Sequence, residues 1–178
     1  KIRIAVSNQY WPMILPPSKL TTTLIKLGPD SSLIFPIRLG DDSIEVAEPE
    51  NQNPLPEYKN HRPAETKRWI ERNIQTGETH YNVIEDTGET EMPNHGLCTR
   101  HRDQSCWSIT ADDPLSYSAT SYYVCWMHRG DWSIRTESDS SFSCDATNFY
   151  IKATVTAYES DKQVNLRHWE KIIKRQLV

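Results

Sequence analysis

The chain carries six histidines, four cysteines and 24 carboxylates, enough for metal or nucleophile chemistry if their spacing brings them together. His95 and His101 are the closest useful histidine pair, and a neighbouring Glu or Asp would complete a metal site with them. Scattered histidines are more often exposed or satisfied, so no metal is expected. Asp112-Asp113 offers two oxygens to calcium. With Pro114 directly after, the pair reads more simply as a turn cap. The cysteines are Cys98, Cys106, Cys125 and Cys144. They form no CxxC pair, and seven residues separate the nearest two, so they read as reduced, mostly buried thiols. A serine nucleophile on a strand-to-helix elbow needs two glycines four positions apart. The six glycines stand at 28, 40, 77, 88, 96 and 130, and no two have that spacing. A phosphate-cradling glycine loop and an HExxH zinc motif are also missing from the sequence. The expectation is a chain with no catalytic residue, no cofactor and no activity of its own.

What remains is aromatic. The sequence holds six tryptophans and eight tyrosines. Most are expected to pack in the core or on a sheet face, where aromatic area is buried. Trp11 differs, because it lies in a proline-stiffened loop, Tyr10-Trp11-Pro12. A stiff loop aromatic suits docking against a neighbour, since little freedom is lost on binding. Tyr10, Trp11, Pro12 and Leu15 are therefore the candidate docking residues.

The elements that must carry these residues are strands. In Asn148–Glu159, Ile151, Ala153, Val155 and Ala157 alternate with Tyr150, Lys152, Thr154, Thr156 and Tyr158, the period of a half-buried strand. Tyr117–His128 and Asp131–Ser141 read as a pair joined at Arg129-Gly130. Lys67–Ile74 and Thr79–Glu85 flank the turn at Thr76-Gly77. Leu97–Arg102 and Ser105–Thr110 read as two strands across Asp103-Gln104. Gln163–Trp169 follows the turn at Ser160-Asp161-Lys162, and 170–178 suits a short helix or one more strand. Nearer the start, Lys1–Ser7, Leu20–Leu27 and Leu33–Arg38 read as strands. Gly40–Thr66 is proline-rich, acidic and aperiodic, a long loop of functional or docking character. Many short strands with few helical stretches predict an all-β antiparallel sandwich; two Greek keys on two sheets would make it a jelly roll.

The bulk numbers set the frame. A chain of 178 residues suits one domain, and 37% hydrophobic with 25% charged residues is an ordinary globular balance. A net charge of −4 without a basic stripe predicts no nucleic-acid partner. The longest uncharged apolar run, Tyr10–Ser18, is too short to span a membrane. The chain opens in a strand-like run without an initiator Met or a leader, and is read as a piece of a longer protein, cytoplasmic by expectation.

Against this background the order of motifs resembles a family. IRIAVSNQYWP and SLIFPIR at the start, DTGETEMPNHGL and CWSITADDPLS in the middle, and RGDWSIRTES, NFYIKATVTAYE and RHWEKIIKRQLV at the end resemble the C-terminal domain of the X-Pro dipeptidyl-peptidase and cocaine-esterase (CocE/NonD) type serine hydrolases. The resemblance spans nearly the whole chain. It implies a single galactose-binding-like jelly-roll β-sandwich over residues 1–178, packed on the catalytic α/β-hydrolase domain of the same parent chain and helping to wall the substrate pocket. The parent would be a dipeptidyl-peptidase or acyl esterase. No residue of that family's triad has a matching position here. The tail departs from the family's pattern: Ile173-Lys174-Arg175-Gln176 lacks the usual proline after the isoleucine and acid after the arginine. A carbohydrate-binding sandwich module is the alternative, resting on the sandwich class and the aromatic count, and self-association through the docking face is a third.

Overall fold

A computed structural model describes residues 3–37, 39–40, 46–47 and 57–176. Among them are nine strands: β1 Lys59–Arg62, β2 Glu65–Arg72, β3 Glu78–Asp86, β4 Glu89–Met92, β5 Leu97–Thr110, β6 Asp113–Arg129, β7 Trp132–Cys144, β8 Asn148–Glu159 and β9 Lys162–Lys174. All pair antiparallel in a single sheet of order β1-β4-β5-β6-β7-β8-β9, with β3 also on β5 and β2 beyond it. The class is all-β, as the alternation predicts. No helix of the described residues is long and apolar enough to cross a membrane. The strands follow one another as a meander, and the crossover of a Greek key is not among their pairings.

Turn chemistry explains the meander. Arg129 pairs with Trp132 around Gly130, whose φ of 56° fits a tight two-residue hairpin. Glu159 pairs with Lys162 around Ser160, which holds a φ of 52°. Asp112, at φ 61°, turns β5 into β6, and Asp113 Oδ1 accepts the Leu115 amide at 3.0 Å. The Asp112-Asp113 pair is thus the turn its proline neighbour suggests.

One turn has its own pH signature. Asp145 accepts hydrogen bonds from the Tyr150 hydroxyl and from the Thr147 and Asn148 amides, the last two at 2.6 and 2.7 Å. These donors, Tyr150 foremost, hold its carboxyl well below the usual carboxylate range. An acid with a depressed folded pKa stabilises fully above its unfolded pKa of about 4 and loses that contribution as pH falls through the folded value. Asp145→Asn is expected to lower the melting temperature at neutral pH and to shrink the difference from the parent chain on acidification below about pH 4. Paired melts from pH 7 downward check it; a difference that stays constant with pH would refute the assignment.

β1–β2 and β3–β4 are two long arms, each interrupted once. Pro63-Ala64 breaks the first and Thr87-Gly88 the second, so the two arms kink together. Asp86 Oδ1 accepts from Arg62 at 2.6 Å and from the Gly88 amide at 2.9 Å, tying both breaks. The expected loop at Gly40–Thr66 therefore ends in strand: Lys59–Arg62 pairs with β4, while residues 41–45 and 48–56 lie outside the described residues.

The structure corrects other expectations. Leu97–Thr110 is one strand, because Asp103 and Gln104 stay in register with Tyr123 and Tyr122. The tail continues β9 to Lys174. The described parts of Lys1–Ser7, Leu20–Leu27 and Leu33–Arg38 are not strands and enter no ladder, and the single bridge there joins Tyr10 and Ile14. Alternation alone did not make them strands, since none of them pairs with a described strand.

The two sheet faces differ. One row across the first face reads Ile70, Tyr81, Trp107, Ala119, Phe142, Ile151. The next row reads Val83, Ser105, Ser121, Ser140, Ala153. The opposite face is polar, with Arg100 over Trp126 and Arg135 over Tyr158 at 4.2 and 4.1 Å to the ring centroids. Both outermost long strands, β2 and β9, are exposed along their whole length.

Candidate docking face

The apolar face meets the proline-stiffened loop beside the β7–β8 turn. Trp11 meets Tyr117 at a tilt and stacks on Phe142, with ring centroids 4.8 and 6.3 Å away, and Phe142 stacks on Phe149 at 5.6 Å. Tyr117 and Pro16 are fully buried. Arg175 closes the cluster: its guanidinium lies 4.9 Å from the Phe149 centroid and donates to the Asp145 and Pro16 carbonyls at 3.0 and 3.4 Å. The tail arginine therefore fastens the N-terminal arm to the start of β8.

This places the four candidate docking residues in two groups. Trp11 and Pro12 are half-buried against the chain's own sheet. Tyr10 and Leu15 look outward, 64% and 37% exposed. Met13 and Ile14 share that outward side and were not singled out by sequence. The sequence carries no signal for them, because their outward side follows from the burial of Trp11 against a distant part of the chain. Between loop and sheet runs an apolar groove of about 310 Å³, lined by Tyr10, Trp11, Met13, Ile70, Tyr81 and Trp107.

The titratable groups offer little reactivity. Cys106 Sγ lies 3.7 Å from His80 Nδ1, the nearest approach to a thiol–imidazole pair among the described residues. Burial pushes that thiol up, and Glu71 and Glu78 push the same way. A thiol so held is protonated at neutral pH and a poor nucleophile. Cys98 is raised by burial and then by Glu91 and Glu89. Thr154 Oγ1 and His168 Nδ1 are 2.9 Å apart, but the described hydrogen bonds give that histidine no carboxylate. His95 lies in the β4–β5 turn, where its Nδ1 accepts the Leu97 amide at 3.3 Å. His101 sits on the apolar face beside Tyr123, so the two histidines do not converge. The exposed tryptophans are dispersed too: Trp69 is on the polar face of β2, Trp169 on the other face of β9 and Trp132 at a hairpin end.

These observations define an all-β scaffold whose most developed surface is an apolar sheet face with an aromatic loop seated on it. Comparisons with protein-family models, with curated proteins and with solved structures returned no match.

Proposed function

We propose that this chain is a non-catalytic accessory domain that covers and supports a catalytic α/β-hydrolase domain of the same parent, the arrangement implied by its resemblance to the X-Pro dipeptidyl-peptidase and CocE/NonD type hydrolases. A galactose-binding-like jelly-roll sandwich is the form that resemblance gives the domain. The observation that carries the reading is uncovered apolar surface. The chain exposes 14757 Å², against about 8,900 Å² for a compact monomer of its mass. Leu24, Leu27 and Ile34 on the N-terminal arm are 90, 82 and 86% exposed, and Ile70 on the sheet face is 68% exposed. A surface of this kind marks an interaction site. The hydrolase domain is the occupant that the motif order supplies. The outward residues Tyr10, Met13, Ile14 and Leu15 would lie in that interface.

The test joins or co-expresses the chain with its upstream hydrolase domain. The pair is expected to copurify and to melt higher than the hydrolase alone. The chain alone is expected to hydrolyse neither p-nitrophenyl esters nor X-Pro dipeptide amides. Turnover by the isolated chain that a serine-directed inhibitor abolishes would overturn the reading. So would an isolated chain that titrates with simple sugars and ignores the hydrolase, which is the outcome a carbohydrate-binding module predicts.

A further inference from the structure

His61, Glu91 and Cys98 come from three adjacent strands, β1, β4 and β5, and their ligand atoms all lie within 4.8 Å of one another. The register explains the meeting: Glu91 stands directly opposite Cys98, and His61 lies in the short β1 segment that pairs with β4. His61 Nε2 is 2.6 Å from Glu91 Oε2. In a tetrahedral zinc site, bond lengths of 2.0–2.3 Å put ligand atoms about 3.3–3.7 Å apart. The three side chains therefore need only small rotations to close on one ion.

We infer that His61, Glu91 and Cys98 form a zinc-binding site that staples β1 to β4 and β5. The donor set is one imidazole nitrogen, one carboxylate oxygen and one thiolate sulfur. Zinc accepts all three, whereas calcium and magnesium take oxygen ligands. Cys98 is buried, Glu91 half-buried and His61 exposed, so an ion enters from the histidine side and settles against the thiolate. On binding, the Cys98 proton leaves to solvent, and the ion replaces the direct His61–Glu91 contact. His128 stands opposite Cys98 on its other side and on the same face. Its Nε2 is 3.7 Å from Glu89 Oε1, so it is a neighbour of the site and not one of its three ligands. Lys59, opposite Glu91, is exposed and can turn to solvent. The site lies on the polar face, so it is independent of the docking reading. What it adds is a fastening for β1, a strand of only four residues at the edge of the sheet.

The experiment uses the whole chain and zinc alone, with cobalt as a spectroscopic stand-in. Calorimetry is expected to give one zinc per chain, and cobalt a thiolate charge-transfer band. Cys98→Ser should abolish that band. His61→Ala, at an exposed position that folding tolerates, should weaken zinc binding by more than about 100-fold, since even outer-shell losses reach that size. Cys106→Ser, at the thiol beside His80, should change neither readout. Loss of the band in Cys106→Ser with retention in Cys98→Ser would overturn the site. Equal zinc affinity in His61→Ala and the parent chain, or no zinc uptake at all, would overturn it equally.

Discussion

Replacing Tyr117 with alanine is expected to cost about 3–5 kcal/mol, the range for removing a fully buried aromatic side chain. Tyr117 has no accessible surface and sits between Trp11 and Phe142, 4.8 and 6.0 Å between ring centroids. Its loss opens a cavity and also removes the ring that lies closest to Trp11 among the described ring pairs, loosening the N-terminal loop. Trp11→Ala removes the same contact from the other side. It is expected to cost about 2–4 kcal/mol, less than a fully buried ring because the indole is half-exposed. In a chain of this size that amounts to a fall of roughly 5–15 °C in melting temperature. Tyr117→Phe is expected to behave oppositely. Among the described residues the buried hydroxyl meets no oxygen or nitrogen partner, only the weakly accepting Cys144 sulfur. That thiol spends its own proton on the Leu115 carbonyl at 3.5 Å, and a sulfur acceptor contributes little. Removing so poorly satisfied a buried hydroxyl should be neutral or stabilising. Thermal melts of the three variants check the cluster. A Tyr117→Phe that destabilises like Tyr117→Ala would show that the hydroxyl has a stronger partner and that the packing argument is wrong.

Gly88→Ala is expected to cost about 2–4 kcal/mol, a large effect for one methyl group. Gly88 holds a φ of 75°, where an L side chain is strained. A Cβ there would also meet main-chain atoms that cannot swing aside: the Pro63 carbonyl carbon at 2.7 Å and the Ala64 nitrogen at 2.8 Å. The damage should spread across the paired breaks, since Asp86 ties Arg62 to the Gly88 amide. Hydrogen exchange should therefore quicken in Lys59–Arg62 and Glu89–Met92 before it quickens in β6 or β7. Gly130→Ala is the control. Gly130 also has a positive φ, but nothing lies within 4 Å of its Cβ position, so the cost should stay near 1 kcal/mol. Equal losses at the two glycines would mean that conformation alone, and not the close approach of the two arms, makes Gly88 necessary.

The sequence made some of this architecture readable and hid the rest for physical reasons. Asn148–Glu159 is a strand over its full expected length, because its alternation is unbroken and its turns are marked by polar residues. Arg129-Gly130 announced its hairpin through the one residue that takes a positive φ without strain. Asp103-Gln104 misled, since a polar pair inside a strand resembles a turn when only one edge is considered. In the sheet both residues keep their partners on β6. The N-terminal segments misled in the opposite way. Their apolar alternation is genuine, but a strand needs a neighbour's hydrogen bonds as well as a pattern, and none is given to them among the described residues. Trp11 was recognisable as a special aromatic. That it turns inward depends on Tyr117 and Phe142, more than a hundred positions away, which no local pattern records. His61, Glu91 and Cys98 were hidden for the same reason, because register and not spacing brings them together.

The two outer strands of the sheet carry a last consequence. Among the described residues no strand pairs on the outer side of β2 or β9, an arrangement that ordinarily invites another chain to continue the sheet. Charge stands guard on both. Glu65, Lys67, Arg68, Glu71 and Arg72 line β2, and Lys162, Arg167, Glu170, Lys171 and Lys174 line β9. An incoming strand would have to desolvate these groups or bring their counter-charges in register. The molecule thus combines a greasy broad side with rims that discourage stacking into fibrils.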